Sequence, residues 1–200
     1  MRPGPKTTGA WLIAAVALLS LGGCASASSP STRYTLPEGS VATAPVDATA
    51  EHLLLVRPPR LAHYLDVEGI VLQLDDITLN QAREHLWAEA LGRQLERGLR
   101  ARLAARLPGT RVLLDDGSDR GVDAIRLRLE VDRFQGRHDG LAVAGGQWQL
   151  RGADGRLLAM DGFHAETELD ADGYPALVRA LGRSWDEVAD QIAAAVRRQH

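Results

Sequence analysis

The sequence predicts an α/β domain, with one mixed β-sheet and two long amphipathic helices. Three observations predict it. Short apolar or alternating runs recur between residues 52 and 169, each closed by Gly, Pro or Asp. Two other segments repeat their apolar residues every three or four positions, the period of a helix face. Hydrophobic residues make up 45% of the 200-residue chain, enough for one core. The formal charge of −3 argues against nonspecific nucleic-acid binding.

The chain opens with Arg2 and Lys6, an apolar run from Ala10 to Leu21, and then Leu21-Gly22-Gly23-Cys24. Charge, apolar run and small residues in that order form an export signal. The run is 12 residues long, whereas a spanning helix needs ~20. The four residues ending in Cys24 resemble the lipobox of bacterial lipoproteins, in which the cysteine becomes the acylated N-terminus. Cys24 is the only cysteine, so it has no disulfide partner within the chain. Residues 1–23 are therefore expected to be a signal peptide and residues 24–32 a lipidated cysteine with its tether. The domain is expected over 33–200. Ala25 and Ser26 follow the cysteine with no Asp, which points to the periplasmic face of the outer membrane rather than to the inner membrane.

Within the domain, Arg33–Leu36 reads as a short strand. Leu53–Val56 is an apolar run that suits a strand buried on both faces, and Pro58-Pro59 ends it. Ile70–Leu74 is a further strand, stopped by Asp75-Asp76. Trp87, Leu91, Leu95, Leu99, Leu103 and Leu107 recur every fourth residue, which predicts a helix over about 81–107 ended by Pro108-Gly109. Arg111–Leu114 follows as a strand, and strand, helix, strand suggests a parallel crossover. Ile125, Leu127, Leu129 and Val131 alternate with charged residues, the pattern of a strand with one wet face. Asp139-Gly140 and Asp154-Gly155 turn the chain twice, giving an antiparallel meander to Leu169. Pro175 opens a last helix, whose stripe is Leu177, Leu181, Trp185, Val188, Ile192 and Val196.

A family resemblance rests on Tyr64-Leu65-Asp66, on Ile70-Val71, and on Trp87-Ala88-Glu89-Ala90-Leu91. These residues, in this order after a lipobox and before a meander and closing helix, resemble the ABC-type transport auxiliary lipoprotein family and its PqiC-like branch. The chain departs from the family at Val67-Glu68-Gly69, at Leu72-Gln73-Leu74, and at Ala90, where the family carries proline. The resemblance implies a non-enzymatic accessory subunit of a lipid-transport system built around an MCE-domain protein. Such systems support outer-membrane integrity. It also implies an anticodon-binding-domain-like fold similar to the TolB N-terminal domain, and no cofactor beyond the lipid on Cys24. A ring-shaped partner leaves a homo-oligomer open. The alternative is a free-standing periplasmic lipoprotein that binds a hydrophobic ligand or assists envelope assembly.

Tyr64, Leu65, Asp66 and Trp87 are the candidate partner-binding residues. The competing reading has the aromatics packing a sheet–helix junction and Asp66 capping a turn. Six arginines at 83, 93, 97, 100, 102 and 106 face Glu84, Glu89 and Glu96; they suit a solvated helix face, or contact with anionic headgroups. His164, Glu166 and Glu168 share one face of a strand that turns to water, and Asp115–Asp119 and Asp170–Gly173 lack the spacing of a calcium loop. The sequence contains no nucleophile elbow, phosphate loop or zinc spacing, so neither a catalytic nor a metal site is expected.

Overall fold

A computed structural model describes residues 30–38, 50–118 and 122–199. Cys24 and the proposed signal lie outside these residues. The order of elements is β1 (Thr32–Tyr34), β2 (His52–Val56), β3 (Arg60–Leu61), a 3-10 turn (His63–Leu65), β4 (Gly69–Gln73) and β5 (Leu79–Trp87). Then come α1 (Leu91–Arg106), β6 (Thr110–Leu114), β7 (Ile125–Arg137), β8 (Leu141–Arg151), β9 (Leu157–Glu168) and α2 (Tyr174–Arg197). The unit Ser31–His200 is thus a single α/β domain with a mixed sheet and two helices.

β7 organises the sheet. One edge pairs antiparallel with β8 almost end to end, and β8 pairs antiparallel with β9. The other edge takes three parallel strands in succession: β2 at residues 125–127, β3 at 130–131 and β4 at 136–137. β6 extends the sheet beyond β2, and β5 then β1 extend it beyond β4. The alternation along β7 holds, with Leu127, Leu129 and Val131 buried and Arg128 and Asp132 exposed. The expected parallel crossover exists, but it joins β2 to β6 rather than β4 to β6.

The single helix expected over 81–107 is corrected. Residues 79–87 form β5, and α1 starts only at Leu91. Gln81, Ala82, Arg83 and Glu84 favour helix locally, but tertiary pairing overrides that preference. The Asp75 carboxylate accepts the N–H groups of Ile77 and Thr78 at 2.9 and 2.7 Å. This Asx turn sends the chain back beside β4, with Leu72 opposite Asn80 and Val71 opposite Gln81. Trp87 is therefore the last residue of a strand, and its spacing from Leu91 carries no helical meaning. The buried stripe from Leu91 to Leu107 does.

α2 lies across β7, β8 and β9, and α1 lies against α2 and β6. The core between them is aromatic. Trp185 meets Phe134 edge-on at 5.7 Å and Phe163 at 6.1 Å, and its indole N–H donates to Leu95 O at 3.2 Å. Arg102 is the second correction. The sequence places it with the charged face of α1, but its side chain is 1% exposed. It donates to Asp186 at 2.9 Å, to Pro37 O at 2.9 Å and to Gly98 O at 3.2 Å. One guanidinium thereby ties α1, α2 and the segment after β1. Burial pulls its pKa below the ordinary arginine value, and Asp186 opposes that.

Removing one partner of a buried ion pair typically costs about 3–5 kcal/mol. Asp186 is partly exposed, so Asp186→Ala is expected to cost about 3 kcal/mol in urea unfolding, the lower end of that range. Adding Arg102→Met should recover part of the loss, because it removes the stranded charge. A midpoint for Asp186→Ala equal to that of the parent would refute the tie.

Candidate functional site

The motif residues converge where three segments meet: β1, the loop between β3 and β4, and the end of β5. Trp87 N–H donates to Glu68 O at 2.7 Å, and Ala88 N–H donates to Tyr34 O at 2.8 Å. The Arg33 guanidinium donates to Trp87 O at 3.2 Å and pairs with the Glu68 carboxylate at 3.5 Å. Gly69 makes this closeness possible. A Cβ there would stand 2.2 Å from Ala82 O, so only glycine lets β4 start so near β5.

Leu65 and Trp87 are core residues, 1% and 3% exposed, and Trp87 packs against Phe134 at 6.3 Å. Tyr64 is half-buried. Its hydroxyl proton is shared between Asp132 O at 2.5 Å and Gln135 Oε1 at 2.8 Å, which fixes the 3-10 turn against β7. Burial pushes the Tyr64 pKa above its ordinary value, with Arg133 opposing. Asp66 is the exposed member, and its carboxylate has no ion-pair partner among the described residues.

Asp66 and Ala90 stand on the rim shared by two clefts. One, of about 300 Å³, is lined by Arg33, Val67, Glu68, Ala88 and Leu91 besides these two. The other, of about 660 Å³, runs along the first turns of α1 past Pro58, Leu61, Arg93 and Arg97. The motif therefore divides in two. Leu65, Trp87 and Tyr64 hold the junction, and Asp66 and the Ala88–Ala90 turn form its outer surface.

Sequence reasoning missed three supports of this junction. Arg33 lies in a three-residue strand, and nothing in the sequence marks its link to Trp87. Gln94 is buried and ties the start of α1 to the segment after β1, donating to Glu89 O at 3.1 Å and accepting Leu36 N–H at 2.6 Å. His85 stacks on Tyr174 at 3.9 Å and shares a hydrogen bond with the Tyr34 hydroxyl at 3.0 Å, joining β5 to the start of α2. The other polar clusters have structural partners. Glu166 pairs with Arg137 at 2.5 Å and with His164 at 3.0 Å; Asp116 accepts from Ser118 at 2.6 Å in a turn.

A family model for the ABC-type transport auxiliary lipoprotein component matches residues 34–193. The chain is 32% identical over 188 residues to the intermembrane transport lipoprotein PqiC of Escherichia coli (strain K12), covering 94% of this chain and 97% of that protein. The same figures hold for PqiC of Shigella flexneri. A crystal structure of an uncharacterized protein is 31% identical, with a TM-score of 0.72, over 84% of this chain and 99% of that one. A second crystal structure, of a protein from Xanthomonas campestris, is 19% identical with a TM-score of 0.64, over 84% of this chain and all of its own; it bears on the fold alone.

Tyr64 should report on the junction at alkaline pH. Its folded pKa is raised, so its contribution to stability is complete below the unfolded tyrosine value of ~10 and is lost as pH rises through the folded value. Tyr64→Phe is expected to cost about 1 kcal/mol at neutral pH, through the lost hydrogen bond, and to flatten this alkaline decline. Urea midpoints measured from neutral to alkaline pH check it; an unchanged alkaline limb in the variant would contradict the assignment.

Proposed function

The chain belongs to the family of ABC-type transport auxiliary lipoprotein components, and on that premise we propose that it is a non-enzymatic accessory subunit of a lipid-transport system. In this reading it docks on a periplasm-spanning MCE-domain partner and supports outer-membrane integrity. Lipid on Cys24 holds it to the periplasmic face of the outer membrane. The observation that carries the proposal is the extent of the similarity to the intermembrane transport lipoprotein, which runs over nearly all of both chains. Similarity confined to the lipobox would have supported an anchor alone.

The docking surface proposed is the outer side of the motif junction. Asp66, Glu68 and Glu89 place three carboxylates around Val67 and the Ala88–Ala90 turn. Two of them are engaged, Glu68 by Arg33 and Glu89 by Arg97, so Asp66 is the one left for a basic group of the partner. Leu65 and Trp87 act from beneath by fixing the shape of that surface. The rigid seat matters because preorganised contacts lose less entropy on binding.

Anchoring has a direct test. Mass spectrometry of the mature N-terminal peptide should find acyl chains on Cys24, and Cys24→Ala should remove them and shift the protein from the membrane to the soluble fraction. An unmodified cysteine in the parent protein would refute the anchor. Docking is tested by copurification from detergent extracts. Asp66→Arg should lower recovery of the MCE-domain partner about tenfold or more, since like charge at an interface costs several kcal/mol. Its thermal midpoint should stay near the parent's because the site is exposed. Undiminished recovery would place the docking surface elsewhere.

A further inference from the structure

We propose that the open face of the sheet, in the gap between β2 and β3, carries a binding site for a phosphate group. The gap begins in the sequence. Pro58 and Pro59 have no backbone N–H to give to a ladder. The chain therefore leaves β7 after Arg57, whose N–H donates to Leu127 O at 3.0 Å, and rejoins it at β3; just beyond, Ala62 N–H donates to Val131 O at 2.9 Å. Beside the gap lies a cleft of about 200 Å³, lined by Arg57, Pro58, Arg60, Arg128, Glu130 and Gln149 among others. Pockets that hold a drug-sized ligand run to ~300–1,000 Å³, so this one suits a headgroup-sized anion and not an acyl chain.

The charge of the lining favours an anion. Three arginines face one carboxylate, Glu130. Arg60 is 85% exposed and reaches Glu130 only at 3.9 Å. Arg57 is steadied from behind by the buried Asp115, at 3.3 Å through Nε. Arg128 is exposed and has no ion-pair partner among the described residues. Gln149, opposite Arg128 on β8, accepts from Arg151 at 3.1 Å through its carbonyl oxygen, which leaves its amide N–H groups as donors. The chain as a whole carries −3, so this surplus of positive charge is local. Guanidinium forks match phosphate oxygens two at a time, and such charge-assisted bonds are the strong ones.

Isothermal titration of the full acylated chain in neutral detergent tests the site. The probes are inorganic phosphate and glycerophosphoglycerol, a deacylated lipid headgroup. Saturable, salt-sensitive binding is expected, weakened about tenfold or more by Arg128→Gln and by Arg60→Gln. Both variants change exposed side chains, and matching circular dichroism spectra check their fold. Arg183→Gln, which removes an ion pair between α2 and Asp170, should leave binding unchanged. Tighter binding of the headgroup than of phosphate assigns the ligand to lipid; equal or weaker binding of the headgroup assigns it to free phosphate. Absence of saturable binding by either probe, or affinities untouched by both arginine variants, overturns the proposal.

Discussion

The fold depends on one constraint: both edges of β7 must find hydrogen-bond partners along a 13-residue strand that runs through the middle of the sheet. A buried backbone group without a partner costs as much as a lost hydrogen bond. β8 satisfies one edge nearly end to end because an antiparallel hairpin of matched length can do so. The other edge is shared by β2, β3 and β4, since no single strand before β7 is long enough. Sharing that edge among three strands brings the loop between β3 and β4 beside the end of β5. It also leaves the gap at Pro58-Pro59.

The second layer is tied down by a few unusual contacts. α2 buries small residues, Ala180, Ala189 and Ala193, while Trp185 fills the space between Phe134 and Phe163. Arg102 then joins the two helices and the Leu36-Pro37 segment through charge and carbonyl contacts. A buried guanidinium is tolerated only because each of its groups finds an acceptor. The Leu36-Pro37 segment is thereby fastened to both helices.

The motif Tyr64-Leu65-Asp66 and the run from Trp87 to Leu91 are far apart in sequence and meet at one junction. Most of their chemistry is architectural: two apolar side chains in the core, a phenol hydrogen-bonded to β7, and backbone bonds between Glu68 and Trp87. The surface they shape is small and acidic at its rim. Under the proposed function, this surface is where the partner docks.

Much of this was legible in the sequence. Period-two alternation around Leu127, Leu129 and Val131, and the stripe from Leu177 to Val196, identified a half-wet strand and a core-facing helix, because a side chain's direction follows from local backbone geometry. The Tyr64-Leu65-Asp66 and Trp87 motifs pointed to the family for a related reason: they are short, local patterns. What the sequence could not decide depended on distant partners. Residues 79–87 have helix-forming composition and became strand because β4 and the Asp75 turn offered a ladder. Arg102 looked like one more surface arginine and was buried because Asp186, 84 residues away, met it. Arg33, Gln94 and Gly69 carried no signal, since their roles lie in contacts with segments that only folding brings near. Local periodicity determined most of the elements, and short motifs carried the family resemblance; long-range pairing decided which strands neighbour, which charges are buried and which motif residue faces the solvent.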